Sequence, residues 1–517
     1  MTSTLDLAAA QTFVWLNGRL GPVLLASSVR AKLQGDASAA QPLRDLSQVQ
    51  GFLSGQGLTA FFDTPWIPVF VVLCWLLHPM FGMMAILSSI LLFMLSVGNE
   101  LLTRSPTLAA NLKSLAANQQ ADATIRNAEV VRAMGMLPAL IERWQETNTK
   151  STEALRTASE WGSVIVASTK FVRVFVQIAV LGLGALLVLR GEVSSGSMIA
   201  ASILLGRALA PVELLNGAWR NFTSTRISYG RLKKHLQTYG SETDRTRLPT
   251  PTGRITVDKL TYVVPGTDFP ILRQVSFAVE PGEVVAVIGP SAAGKSTLCR
   301  FLVGLLPPTS GTVRLDGSEL AHWDPDQLGR FVGYLPQDVE LFAGSVRDNI
   351  GRMGEAQDNA IVEAAILAHA HDMITQLPNG YQTQIGDGGA RLSAGQRQRI
   401  GLARAVYCGP RLIVLDEPNA NLDQLGESAL ASAIGELKEK GAALVIVGHR
   451  ASTLARADKI LWLKEGRVEL FGPRDEVLQK LREGTVAIAR TPPSRNEQPP
   501  AAPSEAAATV RREGGAS

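Results

Sequence analysis

Gly289 and Gly294 stand five residues apart, directly ahead of Lys295 and Ser296, and the run before them, Val284 to Ile288, is wholly apolar. A short apolar run that stops at glycine reads as a buried strand, and the residues after Ser296 read as the start of a helix. Strand, glycine-bearing loop and helix in that order make a phosphate cradle. The glycines let backbone N–H groups turn inward, Pro290, Ser291, Ala292 and Ala293 complete the loop, and the helix N-terminus adds a favourable dipole. Lys295 can then reach the β- and γ-phosphates of ATP, and the Ser296 hydroxyl, followed by Thr297, can ligate Mg²⁺. The pattern alone arises by chance at a modest rate. Its strand–loop–helix setting is what gives it weight.

A second apolar run, Arg411 to Pro418, ends in two acids, Asp416 and Glu417. Asp416 can hold Mg²⁺ through water, and Glu417 then faces the γ-phosphate side, where it can polarise an attacking water. A lone strand-end pair of acids is more often a cap; the upstream phosphate loop argues for chemistry instead.

With these motifs in place, the C-terminal half closely resembles the ATP-binding cassette (ABC) ATPases. Leu392-Ser393-Ala394-Gly395-Gln396 is similar to that family's signature, and Arg397-Gln398-Arg399 follows it. Gln337 in GYLPQ resembles the family's Q-loop, Asp423 its D-loop and His449 its switch histidine. Thr383 to Gly389 resembles the loop that meets the membrane domain in exporters. The resemblance implies a homodimer in which the signature of one subunit (Ser393, Gly395 and Gln396) completes the ATP site of the other. It also implies Glu417, His449 and Gln337 as the hydrolytic set, and Ser296, Asp416 and Gln337 around the metal. Two positions depart from the pattern. Ala394 replaces the first signature glycine, and Val264 stands where an adenine-stacking aromatic is expected, with Tyr262 two residues earlier.

These elements have to be carried by something, and the first half supplies apolar helices. Four runs of near-membrane length, Thr64–His78, Met80–Val97, about Ser168–Leu189 and about Ser197–Trp219, occur in two pairs. A very apolar soluble core is the weaker alternative. The long charged segment between the pairs carries seven Lys or Arg, whereas the two short turns carry almost none. The positive-inside rule therefore places that segment and both termini in the cytoplasm. Lys170, Arg173 and Gln177 share one helix face, and Arg207 lies within the last run. These either line a wet cavity or, for Lys170 and Arg173, snorkel at the membrane edge.

The fold class expected is an α-helical transmembrane domain fused to an α/β P-loop ABC domain. Residues 1–62 form a cytoplasmic coupling region, although Leu5 to Ser28 is apolar enough for a partial span. Residues 63–236 form the transmembrane domain, 237–253 a polar linker, 254–485 the ATP-binding domain and 486–517 a disordered tail. The net charge of +4 over 517 residues does not point to nucleic acid. Three scattered cysteines make neither a zinc site nor a disulfide framework. A cleaved signal peptide is not supported.

Leu43 to Pro79, together with GPSAAGKSTLCR, DGSEL and VLDEPNANLD, resembles the type I secretion permease/ATPases of the alkaline-protease exporter branch, over roughly residues 40–480. That family has six spans per subunit; four are read here, and the remaining pair would precede residue 20. The resemblance implies an inner-membrane homodimer working with a periplasmic adaptor and an outer-membrane channel. The implied cargo is a polypeptide with an uncleaved C-terminal signal. A lipid or drug exporter, or a truncated paralogue that only binds ATP, are the competing readings.

Overall fold

Helix ends in the first half are written by proline, glycine and turn residues. The computed structural model describes residues 2–36, 38–55, 61–240, 247–389, 391–422, 424–448 and 450–490. The chain divides into two compact units, Met1–Thr243 and Asp244–Ser517. The first holds helices α1 (Thr2–Leu33), α2 (Gln41–Leu53), α3 (Ile67–Leu77), α4 (Pro79–Arg126), α5 (Ala128–Ala133), α6 (Leu137–Leu189) and α7 (Ser195–Tyr239). His78 takes extended backbone between α3 and α4, and its Nδ1 accepts from the Met80 N–H at 3.2 Å, while Pro79 needs no acceptor at the first helical position. Ser194 caps α7 by accepting from the Ser197 N–H. His78 Nε2 lies 3.3 Å from Glu192 Oε2, so the two short turns are tied to each other.

Among the described residues three helices are long and apolar enough to cross a membrane, within α4, α6 and Ser195–Trp219 of α7; Phe61–Leu77 is a shorter apolar helix. The four expected runs are thus all helical, with the first the shortest. Their shared face buries Cys74, Phe81, Leu92, Val180, Leu187 and Leu205. Polar side chains then tie α4, α6 and α7 towards the end away from the short turns. Asn216 Nδ2 donates to Thr169 Oγ1 at 3.1 Å, Asn99 Nδ2 to the Asn216 carbonyl at 3.4 Å, and Trp219 Nε1 to Glu100 at 3.0 Å. Such interhelical bonds in a bilayer contribute only about 0.6 kcal/mol each on average. Their number fixes register more than stability.

Arg173 has a partner that its own helix face does not show, and one expectation needs correction. The Arg173 guanidinium meets Glu213 at 2.6 Å. The linker does not begin at residue 237, because α7 runs on to Tyr239 and Gly240 terminates it. At the other end of the second unit the backbone stays helical from Arg474 to Arg490, past the expected boundary at 485; the remainder of the proposed tail lies outside the described residues.

In the second unit a four-stranded antiparallel sheet runs in the order β2 (Pro270–Val279), β1 (Ile255–Val263), β4 (Ser310–Leu315), β5 (Ser318–Glu319). A six-stranded sheet runs β10 (Arg467–Pro473), β9 (Lys459–Lys464), β3 (Val284–Ile288), β8 (Ala443–Val447), β7 (Leu412–Asp416), β6 (Val332–Leu335), parallel except at β10. Successive residues of β3, β7 and β8 enter opposite cores. Val285 and Val287 pack with β1 and β2, whereas Val284 and Ala286 face the helical side with Leu335 and Ile400. Both faces are covered, so these strands read as unbroken apolar runs with no alternation. Helix α8 (Lys295–Leu302) follows β3, α9 (Ala394–Val406) precedes β7, and α10 (Gln424–Glu439) follows it.

Candidate nucleotide-binding site

The loop between β3 and α8 is built around two glycines in the left-handed half of backbone space. Gly289 has φ +154°, and a methyl there would overlap the Leu463 carbonyl oxygen; Gly294, at φ +97°, would place one 2.8 Å from Leu272 Cδ2. Between them Ala292 also has positive φ, at 63°. Lys295 Nζ donates to the Gly289 and Pro290 carbonyls at 2.9 and 3.0 Å, which stretches the ammonium across the loop it starts from. The first N–H groups of α8, from Lys295 through Thr297, have no acceptor within the helix, as an anion site requires.

Asp416, at the end of β7, is 2% exposed, and its Oδ1 is buried without a hydrogen-bond partner. Burial holds its carboxyl above the usual range; the nearby Ser296 hydroxyl acts against this, and the Glu417 charge adds to it. A buried, unpaired carboxylate oxygen beside a serine hydroxyl is a donor set that fits a hard divalent cation such as Mg²⁺. Glu417 sits at φ +48°, a conformation rare outside glycine, and its Oε2 accepts from Gln337 Nε2 at 2.9 Å. The proposed water-polarising carboxylate and the Q-loop amide are therefore in contact although 80 residues separate them.

The signature helix α9 opens with Ser393 as N-cap. The Gln396 N–H donates to Ser393 Oγ, and Gln396 Oε1 accepts from the Ser393 N–H at 2.9 Å. This capping box occupies the carbonyl end of the Gln396 side chain and leaves the Ser393 hydroxyl hydrogen free to donate outward. Ala394 takes ordinary helical backbone with its methyl exposed, so replacing glycine there introduces no clash. Tyr262 is half-buried and meets Phe301 edge-on at 5.0 Å, and Val264 is partly exposed at the end of β1. His449 and Asp423 lie outside the described residues.

Gln398 is a site residue without an assigned role in the sequence reading. It is 2% exposed and hydrogen-bonds the backbone at Glu417, Pro418 and Asn421. A glutamine on the apolar side of an amphipathic helix was the only signal available. An ion pair between Arg450 and Glu427, with Ser452 Oγ donating to the same carboxylate, anchors the segment next to His449 on α10.

The ABC transporter family model matches residues 272–420, and the model of the ABC transporter transmembrane region matches residues 41–210. The type I secretion system ATP-binding protein PrsD of Rhizobium meliloti (strain 1021) is 46% identical over 464 residues, covering 90% of this chain and 79% of that protein. The toxin RTX-I translocation ATP-binding protein of Actinobacillus pleuropneumoniae is 34% identical over 444 residues, and the leukotoxin translocation ATP-binding protein LktB of Mannheimia haemolytica 31% over 450. Each match covers 84% of this chain but only 62% of the relative's own length. A solved bacterial Atm1-family ABC exporter with ATP bound superposes with a TM-score of 0.78 at 20% identity, covering 95% of this chain and 87% of that one; this likeness concerns the fold alone. Identity of 46% running through both the helical and the nucleotide half settles the family: the chain belongs to the ABC transporters, among the type I secretion ATP-binding proteins.

Proposed function

We propose that this chain works as a homodimer that hydrolyses ATP with Mg²⁺ to drive a polypeptide across the inner membrane, in partnership with a periplasmic adaptor and an outer-membrane channel. The carrying observation is the 46% identity over nine-tenths of the chain to a type I secretion ATP-binding protein, combined with a complete phosphate loop. The loop N–H groups and Lys295 bind the triphosphate. Ser296, Asp416 and Gln337 would hold Mg²⁺, which when bound neutralises charge between the β- and γ-phosphates. Glu417 orients a water for in-line attack and takes up its proton, and Gln337 fixes the position of that carboxylate. Ser393 and the α9 N-terminus serve the triphosphate of the second copy, so that ATP bridges two subunits and hydrolysis releases them. His449 completes the set.

Cytoplasmic turns carry the motion. The short helix α5 and the connection between α1 and α2 are the turns assigned to this role. The cargo reading rests on the relatives. One observation favours a lipid cargo as the second reading. An apolar groove of about 660 Å³ between α3, α4 and α7, lined by Ile90, Phe93, Val97 and Leu215, ends at Glu100 and Arg226.

Two experiments test the hydrolytic assignment and the cargo. Glu417→Gln should keep ATP binding, trap a dimer and lose turnover by about 100-fold or more, while Lys295→Ala should weaken binding itself; wild-type turnover in the Gln variant sinks the assignment. Co-expression with an adaptor, an outer-membrane channel and a repeat-rich cargo should release that cargo into the medium only when Lys295 is intact. ATPase stimulation by lipid but never by a C-terminal signal peptide selects the lipid reading.

A further inference from the structure

Helix α9 and the turn after β7 belong to different tasks. On the reading above, the first residues of α9 address the second copy's triphosphate, while Asp416 and Glu417 address the chain's own. In the folded unit one buried side chain of α9 hydrogen-bonds the turn. Gln398 Nε2 donates to the Glu417 carbonyl at 3.3 Å and to the Pro418 carbonyl, and Gln398 Oε1 accepts from the Asn421 N–H at 3.1 Å. An amide is the only side chain that presents two donors and an acceptor in this geometry. One turn earlier on the same helix, a methyl at Gly395 would stand 3.1 Å from the Asn421 carbonyl, so the signature backbone itself rests on the turn.

The turn held this way has little freedom elsewhere. The Glu417 N–H bonds the Val447 carbonyl at 3.1 Å, the Ala420 N–H returns to the Glu417 carbonyl at 3.1 Å, and buried Asn419 donates to Thr453 Oγ1 at 3.2 Å. Glu417 is meanwhile kept at φ +48°, which costs a non-glycine residue energy unless its surroundings enforce it. Gln398 bonds the carbonyl of that strained residue. A shift of α9 toward or away from a phosphate therefore cannot leave the Glu417 backbone where it was.

We propose that Gln398 is the positioning residue that couples the two ATP sites of the dimer, transmitting engagement of one site's γ-phosphate by α9 into the placement of the other site's Glu417. Gln398 touches neither nucleotide nor water. It acts through the backbone of residues 417–421. The inference rests on the composite-site reading of the dimer. It predicts a loss of cooperativity and of turnover without a matching loss of nucleotide affinity.

The test is ATP titration of hydrolysis by the full chain in lipid nanodiscs, comparing wild type with Gln398→Leu, which keeps the volume and removes all three bonds, and with Gln398→Asn, which keeps the amide but shortens its reach. The Hill coefficient is expected to fall from about 2 to about 1 in the Leu variant, with kcat down by about 10-fold or more and KM within about 2-fold. Fluorescent-nucleotide binding and the unfolding midpoint establish that the protein is folded. Should the Leu variant fail to fold, the Asn variant carries the same expectation with a smaller drop. A folded variant that stays cooperative at wild-type kcat overturns the coupling role, as does one in which KM rises in step with the fall in kcat, since that marks loosened structure only. A wild type that is itself non-cooperative, and as active with one copy per nanodisc as with two, overturns the composite-site reading and the coupling role together.

Discussion

Arg231→Met should damage the membrane half more than Asp45→Asn, and the second change should repair part of the first. Asp45 on α2 is 3% exposed, and Arg231 on α7 grips it twice, at 2.5 and 2.9 Å, with Gln41 Nε2 a third donor at 3.1 Å. The arginine is 34% exposed and also donates to Ser228. Removing the guanidinium strands a carboxylate inside the protein with one neutral donor, and breaking a buried pair from that side costs about 3–5 kcal/mol. Removing only the negative charge leaves an amide that still accepts from Arg231, whose head can also turn to water; about 1–2 kcal/mol is the expected loss. In the double variant no buried charge remains, so it should be more stable than Arg231→Met alone, by about 2 kcal/mol. The assay is thermal unfolding of the full chain in detergent at a fixed scan rate, because membrane chains of this size unfold irreversibly and only the ranking is meaningful. A double variant no better than Arg231→Met, or an Asp45→Asn midpoint at or below that of Arg231→Met, would refute the account of a desolvated carboxylate held by its partner.

Two pH-linked predictions follow from groups outside the membrane. Burial raises the Asp416 carboxyl in the folded state, so its contribution is fully present below the unfolded pKa near 3.8 and is lost as pH rises through the higher folded value; Asp416→Asn should stabilise the metal-free protein at neutral pH and erase that slope, as read by unfolding midpoints with chelator present. Burial depresses the His235 imidazole, with the Asp36 charge opposing, so its contribution is present above the unfolded value near 6.5 and is lost as pH falls towards the lower folded one; His235→Gln should flatten the midpoint-against-pH curve below 6.5, and an unchanged curve counts against the burial of His235, whose Nε2 lies 3.1 Å from Ser27 Oγ.

The strand, glycine loop and helix around Lys295 were legible because their signals are local: about a dozen consecutive residues contain the strand, the glycines and the helix start. The contact of Gln337 with Glu417 had to come from resemblance, since no periodicity relates residues 80 apart. Gln398 was quoted in the sequence as one letter of a motif. Its meaning appears only when the 417–421 turn is folded against α9. The partner of Arg173 was hidden for the same reason, because Glu213 sits 40 residues on, in the next helix. Helix ends were misjudged by a few residues where the polar Gln-Thr-Tyr run, read as linker, continued α7 until Gly240.

Helices α4 and α6 hold 48 and 53 residues, about 72 and 80 Å at 1.5 Å per residue. A bilayer core needs only about 30 Å of that, so about 40 Å of paired helix projects beyond it and ends in the α5 turn. Stiff rods of this length behave as a lever. A tilt of about 5° within the bilayer would swing the α5 end by about 3.5 Å, enough to move one helix ridge out of a neighbouring groove. Ser151 Oγ, donating to the Ala110 carbonyl at 3.1 Å, cross-braces the two rods in the projecting part, so that they would swing as one beam. Small displacements among the spans are thereby magnified at the far end, and shortening both rods by an equal number of turns should scale the stroke down in proportion.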